Sequence, residues 1–179
     1  DAQKLAAQAY QKRAGAVIAW LAVLAKETGC RLMVRLVKGA YWDSEIRQAQ
    51  MLGLDDYPVF TRKRHTDAHY LGCARRLLGR PDCFLPQFAT HNARTLAWLH
   101  VVAGDLGQEF EVQRLAGMGE PVHRAFQTTA GHPLRLYAPV GRFAALLPYL
   151  VRRLLENGSA QSFVNQLANP QIPAPDLAR

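Results

Sequence analysis

Arg152 and Arg153, adjacent in the segment YLVRRLLENGS, set two permanent positive charges on an otherwise apolar stretch. A guanidinium keeps its proton, and its planar fork matches a carboxylate or phosphate bidentately. Leu146, Leu147, Leu150, Val151, Leu154 and Leu155 recur at helical spacing and predict the buried side of a helix. Successive helical residues diverge by about 100°, so both arginines can flank one edge of that side. Glu156, four residues after Arg152, is spaced to orient it. Two readings are open: a solvated face with one ordinary ion pair, or a site for a small anion.

The second reading gains weight from polar residues that recur at the ends of apolar runs. Gln8 ends the first such run, Arg35 and Lys38 the second, Gln87 with Thr90 and His91 the third, Gln113 the fourth and Tyr137 the fifth. In a buried strand such groups cost free energy unless they are paired. One could be a satisfied core group; five in register point to a shared polar mouth. Each also has a plainer role, since aromatics near strand ends often only pack and His91, before Asn92, could simply cap the next helix. Trp20, Trp42 and Trp98 read as packing residues.

The elements that would position these residues alternate between strand and helix. Strands are predicted at Leu5–Tyr10, Arg31–Val37, Cys83–Ala89, Glu109–Leu115 and Leu134–Ala138. Helices are predicted at Gly15–Thr28, Asp43–Leu52 with Asp43 as N-cap, His65–Leu78, Ala93–Ala103, Glu120–Phe126 and Ala144–Asn157, with Gly158 as C-cap. The tail from Asn169, PQIPAPDLAR included, reads as a Pro-rich linker or disordered end, giving residues 1–168 as one unit and 169–179 as tail.

Strands alternating with helices imply parallel pairing through right-handed crossovers. No GxGxxG follows the first strand, so a dinucleotide-binding sheet has little support. Polar residues at strand C-terminal ends are where a (β/α)8 barrel keeps its chemistry. The expected class is therefore α/β, a partial TIM barrel of about five strands with the N-terminal strands missing.

Composition narrows the functional classes. The chain has 179 residues, 49% hydrophobic and 20% charged, with a net charge of +8 that suggests an acidic ligand or partner. Its basic residues are scattered rather than gathered into one stripe with interleaved aromatics, which argues against nucleic acid. Cys30, Cys73 and Cys83 show no CxxC or metal-ligand spacing, so reduced thiols in a cytoplasm-like compartment are expected and no metal is. The longest apolar run, Ala14–Ala25, falls short of the roughly 20 residues that span a bilayer. No signal peptide is visible.

The longer motifs carry a family resemblance. RLVKGAYWDSEI at 35–46, YPVFTRK at 57–63, PQFATHNARTL at 86–96, GMGEP at 117–121, LYAPVG at 136–141 and YLVRRLLENGSAQSFVN at 149–165 resemble proline dehydrogenase. They are similar in particular to the proline dehydrogenase domain of the bifunctional proline utilisation A flavoenzymes. That resemblance implies a distorted TIM barrel holding FAD, oxidation of L-proline to 1-pyrroline-5-carboxylate, and transfer of the electrons to a membrane quinone. It implies a cytoplasmic protein whose parent meets the inner membrane surface peripherally.

Carried over by position, Arg152 and Arg153 match the pair that clamps the substrate carboxylate, and Glu156 the residue that orients them. Tyr137, Tyr41 and Leu115 match the walls of the proline pocket. Gln8, Arg35, Val37, Thr90 and His91 match flavin contacts, with Arg35 near the reactive flavin nitrogen; Arg62 and Lys63 match groups serving the FAD phosphates. Arg35 and Tyr137 are thus the expected catalytic residues.

One departure from the family pattern is evident. A closed barrel needs eight strands and about 250 residues, and the family keeps a substrate-binding lysine and an aspartate on the first three strands, for which nothing here substitutes. A fragment that turns over little proline alone, and that needs the missing N-terminal barrel segment as partner, is the expectation. Alternatives are a non-catalytic remnant acting as an interaction or anion-binding module, and a flavin-dependent barrel with another substrate.

Overall fold

A computed structural model of the chain describes residues 4–158. Five strands, β1 (Lys4–Gln8), β2 (Leu32–Val37), β3 (Phe84–Ala89), β4 (Glu111–Leu115) and β5 (Leu134–Tyr137), form one sheet in sequence order. All neighbours pair in parallel. Between them run α1 (Ala14–Thr28), α2 (Trp42–Met51), α3 (Lys63–Leu78), α4 (Ala93–Leu106) and α5 (Glu120–Ala130), and α6 (Phe143–Gly158) follows β5. Sequential parallel order with a helix at every crossover is the arrangement of a (β/α) barrel wall, as the expected fold class requires.

The pleat separates two faces. On β2, Leu32, Val34 and Leu36 are buried while Met33, Arg35 and Val37 are half-buried on the other side. The first set packs on the helices, in a core that includes Ile18, Leu21, Tyr70, Leu77, Phe84, Phe88, Leu96 and Leu99. The second set lines the concave face. Register places Ala6, Arg35, Gln87 and Glu111 in one row across four strands, Gln113 beside Arg135, and Leu115 beside Tyr137. Several rows of this inner face are polar, so they must satisfy one another or a ligand.

Boundaries differ from expectation in instructive places. Asp43 is not the N-cap of α2: that position belongs to Tyr41, with no side-chain cap, and Asp43 and Glu45 sit in the first turn. Acidic groups are favoured there by the helix dipole whether or not they cap. His91 does not cap α4, because Asn92 does so, its side-chain oxygen accepting from the Thr95 N–H at 2.9 Å. Helix α4 reaches Leu106, α5 reaches Ala130, and α6 takes in Gly158, expected just past its end.

The largest correction concerns α6. Leu147, Leu150 and Val151 are 43%, 41% and 44% exposed, whereas Arg152 and Arg153 are half-buried. Arg152 and Arg153, with Leu146 and Tyr149, are thus the less exposed positions, while Leu147, Leu150 and Val151 are more open than the apolar periodicity predicts. Pro148, Val151, Arg152 and Arg153 of this helix line a cleft with residues of the β1–α1, β2–α2 and α2–α3 regions, so the apolar periodicity fails to mark the buried side at Leu147, Leu150 and Val151. The side chains of Leu154, Leu155 and Glu156, and the tail 169–179, lie outside the described residues.

Candidate active site

A saturated ion network closes the bottom of the concave face. Glu111 accepts from the side-chain amides of Gln87 (2.9 Å) and Gln113 (2.8 Å) and takes a two-pronged contact from Arg135, whose Nε lies 2.8 and 2.9 Å from its oxygens and Nη2 2.6 Å from Oε2. The Gln87 and Gln113 side chains are thus satisfied interior groups rather than parts of an open mouth. Glu111 and Arg135 went unnoticed in the sequence because each looks like an ordinary strand charge; only the register brings the four together.

Above that network three arginines meet three tyrosines. The guanidinium of Arg35 lies over the Tyr137 ring, 4.3 Å from its centroid, and that of Arg152 lies over the Tyr41 ring at 4.5 Å. Arg153 stands 5.4 Å from the Tyr149 ring, one helical turn before it. Burial, and then the nearby Tyr137 phenol, raise the pKa of Tyr149, while Arg153 and Arg35 act against that rise. Tyr149 was not anticipated; its spacing of four from Arg153 is the signal that could have found it. Flat guanidinium faces on aromatic rings fix the cations without using up their N–H donors. For Arg35 and Arg152 the ring contact leaves the N–H edge of the guanidinium clear.

Arg152 and Arg153 open onto a cleft of about 880 Å³ bounded by Lys38, Gly39, Lys63 and Thr66. Asp67 accepts from Lys63 at 2.7 Å and from Lys38, and these lysines hold its carboxyl below the usual range although burial acts the other way. Trp42 also lines the cleft and donates its indole N–H to the Phe60 carbonyl at 2.8 Å, which corrects the packing-only reading of that residue. Trp20 is 62% exposed, and Trp98 packs against the core. Arg62 is the N-cap residue of α3, exposed and outside the cleft wall, in contrast to Lys63.

His91 occupies the β3–α4 end of the same face. Its Nε2 accepts from the Leu115 N–H at 3.4 Å, and its ring meets that of His123 edge-on at 5.5 Å. Burial, then the neighbouring His123, Arg114 and Arg153, push its pKa down to about 4, so the ring is neutral. Gly119 makes room for it: with φ at +62°, a Cβ there would approach His91 Cδ2 to 2.8 Å. Thr90 is buried, its hydroxyl accepting from the Asn92 N–H at 3.3 Å, and Leu115 is 4% exposed. Gln8 and Val37 pair in register and are half-buried. Gln8, Arg35, Val37, Thr90, His91, Leu115 and Tyr137 therefore share one end of one sheet.

The inner face also bears on whether a flavin suits these residues. The Nε of Arg35 is buried without a hydrogen-bond partner, which is costly unless a ligand acceptor meets it. The cleft lined by Lys38, Lys63 and Arg152 carries cations and a loop that passes through a left-handed glycine, Gly39 at φ +122°. An acceptor-rich planar ring with a phosphate tail suits such a donor set.

A curled parallel α/β wall with its cations and aromatics gathered at the strand C-terminal ends defines a TIM-barrel-type unit. The chain belongs to the proline dehydrogenase family: the family model so described matches residues 3–166. It is 52% identical over 177 residues to the bifunctional protein PutA of Escherichia coli strain K12, covering 95% of this chain and 13% of that protein. It is 31% identical over 158 residues to mitochondrial proline dehydrogenase 1 of Arabidopsis thaliana, covering 84% of this chain and 31% of that one. A crystal structure of a Bradyrhizobium japonicum Proline Utilization A (PutA) variant superposes with TM-score 0.88 at 53% identity, over 98% of this chain and 18% of that chain. The PutA of Bdellovibrio bacteriovorus inactivated by N-propargylglycine superposes with TM-score 0.89 at 37% identity. The chain thus spans only a small part of the length of these relatives.

Proposed function

We propose that this chain forms the carboxylate-binding and much of the flavin-contacting part of an FAD-dependent enzyme that oxidises L-proline to 1-pyrroline-5-carboxylate. The observation that carries the reading is the convergence of Arg152, Arg153, Arg35, Tyr41 and Tyr137 at one end of the sheet. Proline is a small zwitterion, so its recognition needs a strong anion site beside apolar wall, and the arginine pair with Leu115 and two tyrosine faces supplies both.

Oxidation removes two electrons from the ring: a C–H bond beside the nitrogen breaks, the N–H proton leaves, and a C=N bond forms. Bound FAD supplies the two-electron acceptor. Gln8, Arg35, Val37, Thr90 and His91 would hold its ring system and Lys63, with Arg62, its phosphates. The protein's part is placement, since holding reacting atoms about 3–3.5 Å apart is worth several kcal/mol of barrier. Arg35, with its unmet Nε donor, would stabilise negative charge that develops nearby. Neutral His91, whose Nε2 already accepts from the Leu115 N–H, would offer its Nδ1–H as a donor without adding a further cation.

The final electron acceptor would be a quinone, reached by a cytoplasmic protein touching a membrane surface; among the described residues no helix is long and apolar enough to cross a membrane. Five strands leave the outer edges of β1 and β5 without partners among the described residues, and open edges expose backbone and inner-face side chains. Taken alone, the 179-residue polypeptide would hold flavin weakly and would need the further barrel strands as its partner. Flavin absorbance and proline-dependent dye reduction by the full-length protein test the reading. Flavin-free protein, or loaded protein that leaves proline untouched, would overturn it.

A further inference from the structure

We infer that Tyr10 and Glu45 form a latch that holds Tyr41 beneath Arg152, making both of them positioning residues for the carboxylate-binding arginine. The inference rests on the proposed role of that arginine. It begins from a gap: Tyr41 is 50% exposed and caps α2 without a side-chain bond, yet it is the platform for Arg152 at 4.5 Å. Something other than local packing must fix the segment that carries it.

The segment is pinned from beneath by Tyr10. This residue is 3% exposed, and its backbone N–H donates to the Lys38 carbonyl while its own carbonyl accepts from the Phe60 N–H, each at 2.8 Å. Gly39 lies flat on its ring, so that a Cβ there would come within 1.5 Å of Tyr10 Cδ1. The Tyr10 hydroxyl donates to Glu45 Oε1 at 3.1 Å, and Gln11 Nε2 donates to the same oxygen at 3.0 Å. Glu45 closes the loop: its N–H donates to the Tyr41 carbonyl at 3.1 Å, at the start of α2. The segment from Lys38 to Glu45 is therefore held by one buried tyrosine: its backbone N–H at Lys38, its ring at Gly39 and its hydroxyl at Glu45.

Charge completes the argument. Burial and the Glu45 carboxylate push the Tyr10 pKa up to about 12, so the hydroxyl remains a donor at any working pH, and Arg152 is near enough to oppose that shift. Arg152 thus faces the Tyr41 ring while sensing the Tyr10–Glu45 pair. Loss of the hydroxyl alone would loosen the platform without emptying the core.

The test compares wild type, Tyr10→Phe, Glu45→Gln and Glu45→Ala in the full-length, flavin-loaded protein. One hydrogen bond is worth about 1 kcal/mol, so Tyr10→Phe and Glu45→Ala should raise KM for proline roughly 3- to 10-fold with kcat nearly unchanged. Glu45→Gln, which still accepts from Tyr10, should fall between wild type and Glu45→Ala. Binding of acetate, a minimal carboxylate, followed by its perturbation of the flavin absorption band, should weaken in the same order. Unchanged KM and acetate affinity would overturn the latch. So would equal losses of flavin content and kcat, the signature of a merely structural role. If wild type leaves proline unoxidised, the proposed reaction falls, and the acetate titration still decides whether Tyr10 and Glu45 position Arg152.

Discussion

Arg35 reaches the face of Tyr137, its Cζ 4.3 Å from the ring centroid, although β2 and β5 are separated by two other strands. Neighbouring strands lie about 4.8 Å apart, so on a flat sheet these two would be roughly 14 Å apart. Two side chains rising from one face can meet across that gap only if the sheet curls around them. The pair therefore reports the barrel curvature directly, and it makes Tyr137 the support for a guanidinium whose Nε has no protein partner.

Replacing Tyr137 tests that support. Tyr137→Phe keeps the aromatic face and should leave flavin content unchanged, whereas Tyr137→Ala removes a cation–π contact worth about 0.5–2 kcal/mol and should weaken flavin retention several-fold. Arg35→Lys keeps the charge but loses the planar fork, and it should reduce proline-dependent dye reduction more than Tyr137→Ala does. Flavin-to-protein absorbance ratios and turnover in the full-length protein check all three. Equal behaviour of the Phe and Ala variants would remove Tyr137 from this role.

The arginine pair should fail asymmetrically from any ordinary surface charge. Arg152→Lys and Arg153→Lys preserve net charge, so long-range attraction of an anion survives while bidentate contact and ring stacking are lost. Losing a charge-assisted hydrogen bond costs about 1.5–3 kcal/mol, which corresponds to a rise in KM of roughly 10-fold or more. Steady-state kinetics at two salt concentrations separate the cases: a screened surface effect would shrink with salt, and the loss expected here would persist.

Glu111 carries a stability prediction independent of chemistry. It gathers Gln87, Gln113 and Arg135 on the inner face, with a side chain only 19% exposed. Glu111→Ala strands two amides, while half-exposed Arg135 can turn to water, so the loss should cost about 1–3 kcal/mol. Glu111→Gln should cost less, since one oxygen still accepts. Urea unfolding midpoints with an unchanged slope would record the difference; a wild-type midpoint for Glu111→Ala would show the network to be idle.

The element order and parallel topology were legible in the sequence because strand and helix periods alternate cleanly from Leu5 to Tyr137, and glycine stops such as Gly29 and Gly79 fall where helices end. The tyrosine and arginine positions came from motif resemblance, not from periodicity. Periodicity misled in part at α6, where Leu147 and Leu150 are exposed while Arg152 and Arg153 are half-buried, because the arginines meet the Tyr41 and Tyr149 rings. Glu111 with Arg135, and Tyr10 with Glu45, could not be read at all: each pair lies 24 or 35 residues apart, and a single sequence contains no register.

Acid should unfold the protein partly through His91. Its folded pKa is about 4 against an ordinary 6.5, so between those values the unfolded chain binds a proton that the folded protein refuses. The stabilisation is complete above about pH 6.5 and is lost progressively as the pH falls toward about 4, amounting to roughly 3 kcal/mol at most. His123, also lowered chiefly by burial, adds in the same direction. Asp67 acts in a more acidic window, because its lowered value leaves its bonds to Lys38 and Lys63 intact until the pH drops through the carboxylate range. Replacing His91 by Gln removes the first contribution while keeping a polar side chain against the Leu115 N–H. Denaturant midpoints near pH 7.5 and near pH 5 should then diverge less for His91→Gln than for wild type. Equal losses in the two proteins would mean that the ring takes up its proton without strain, and that its neutrality plays no part in holding the strand ends together.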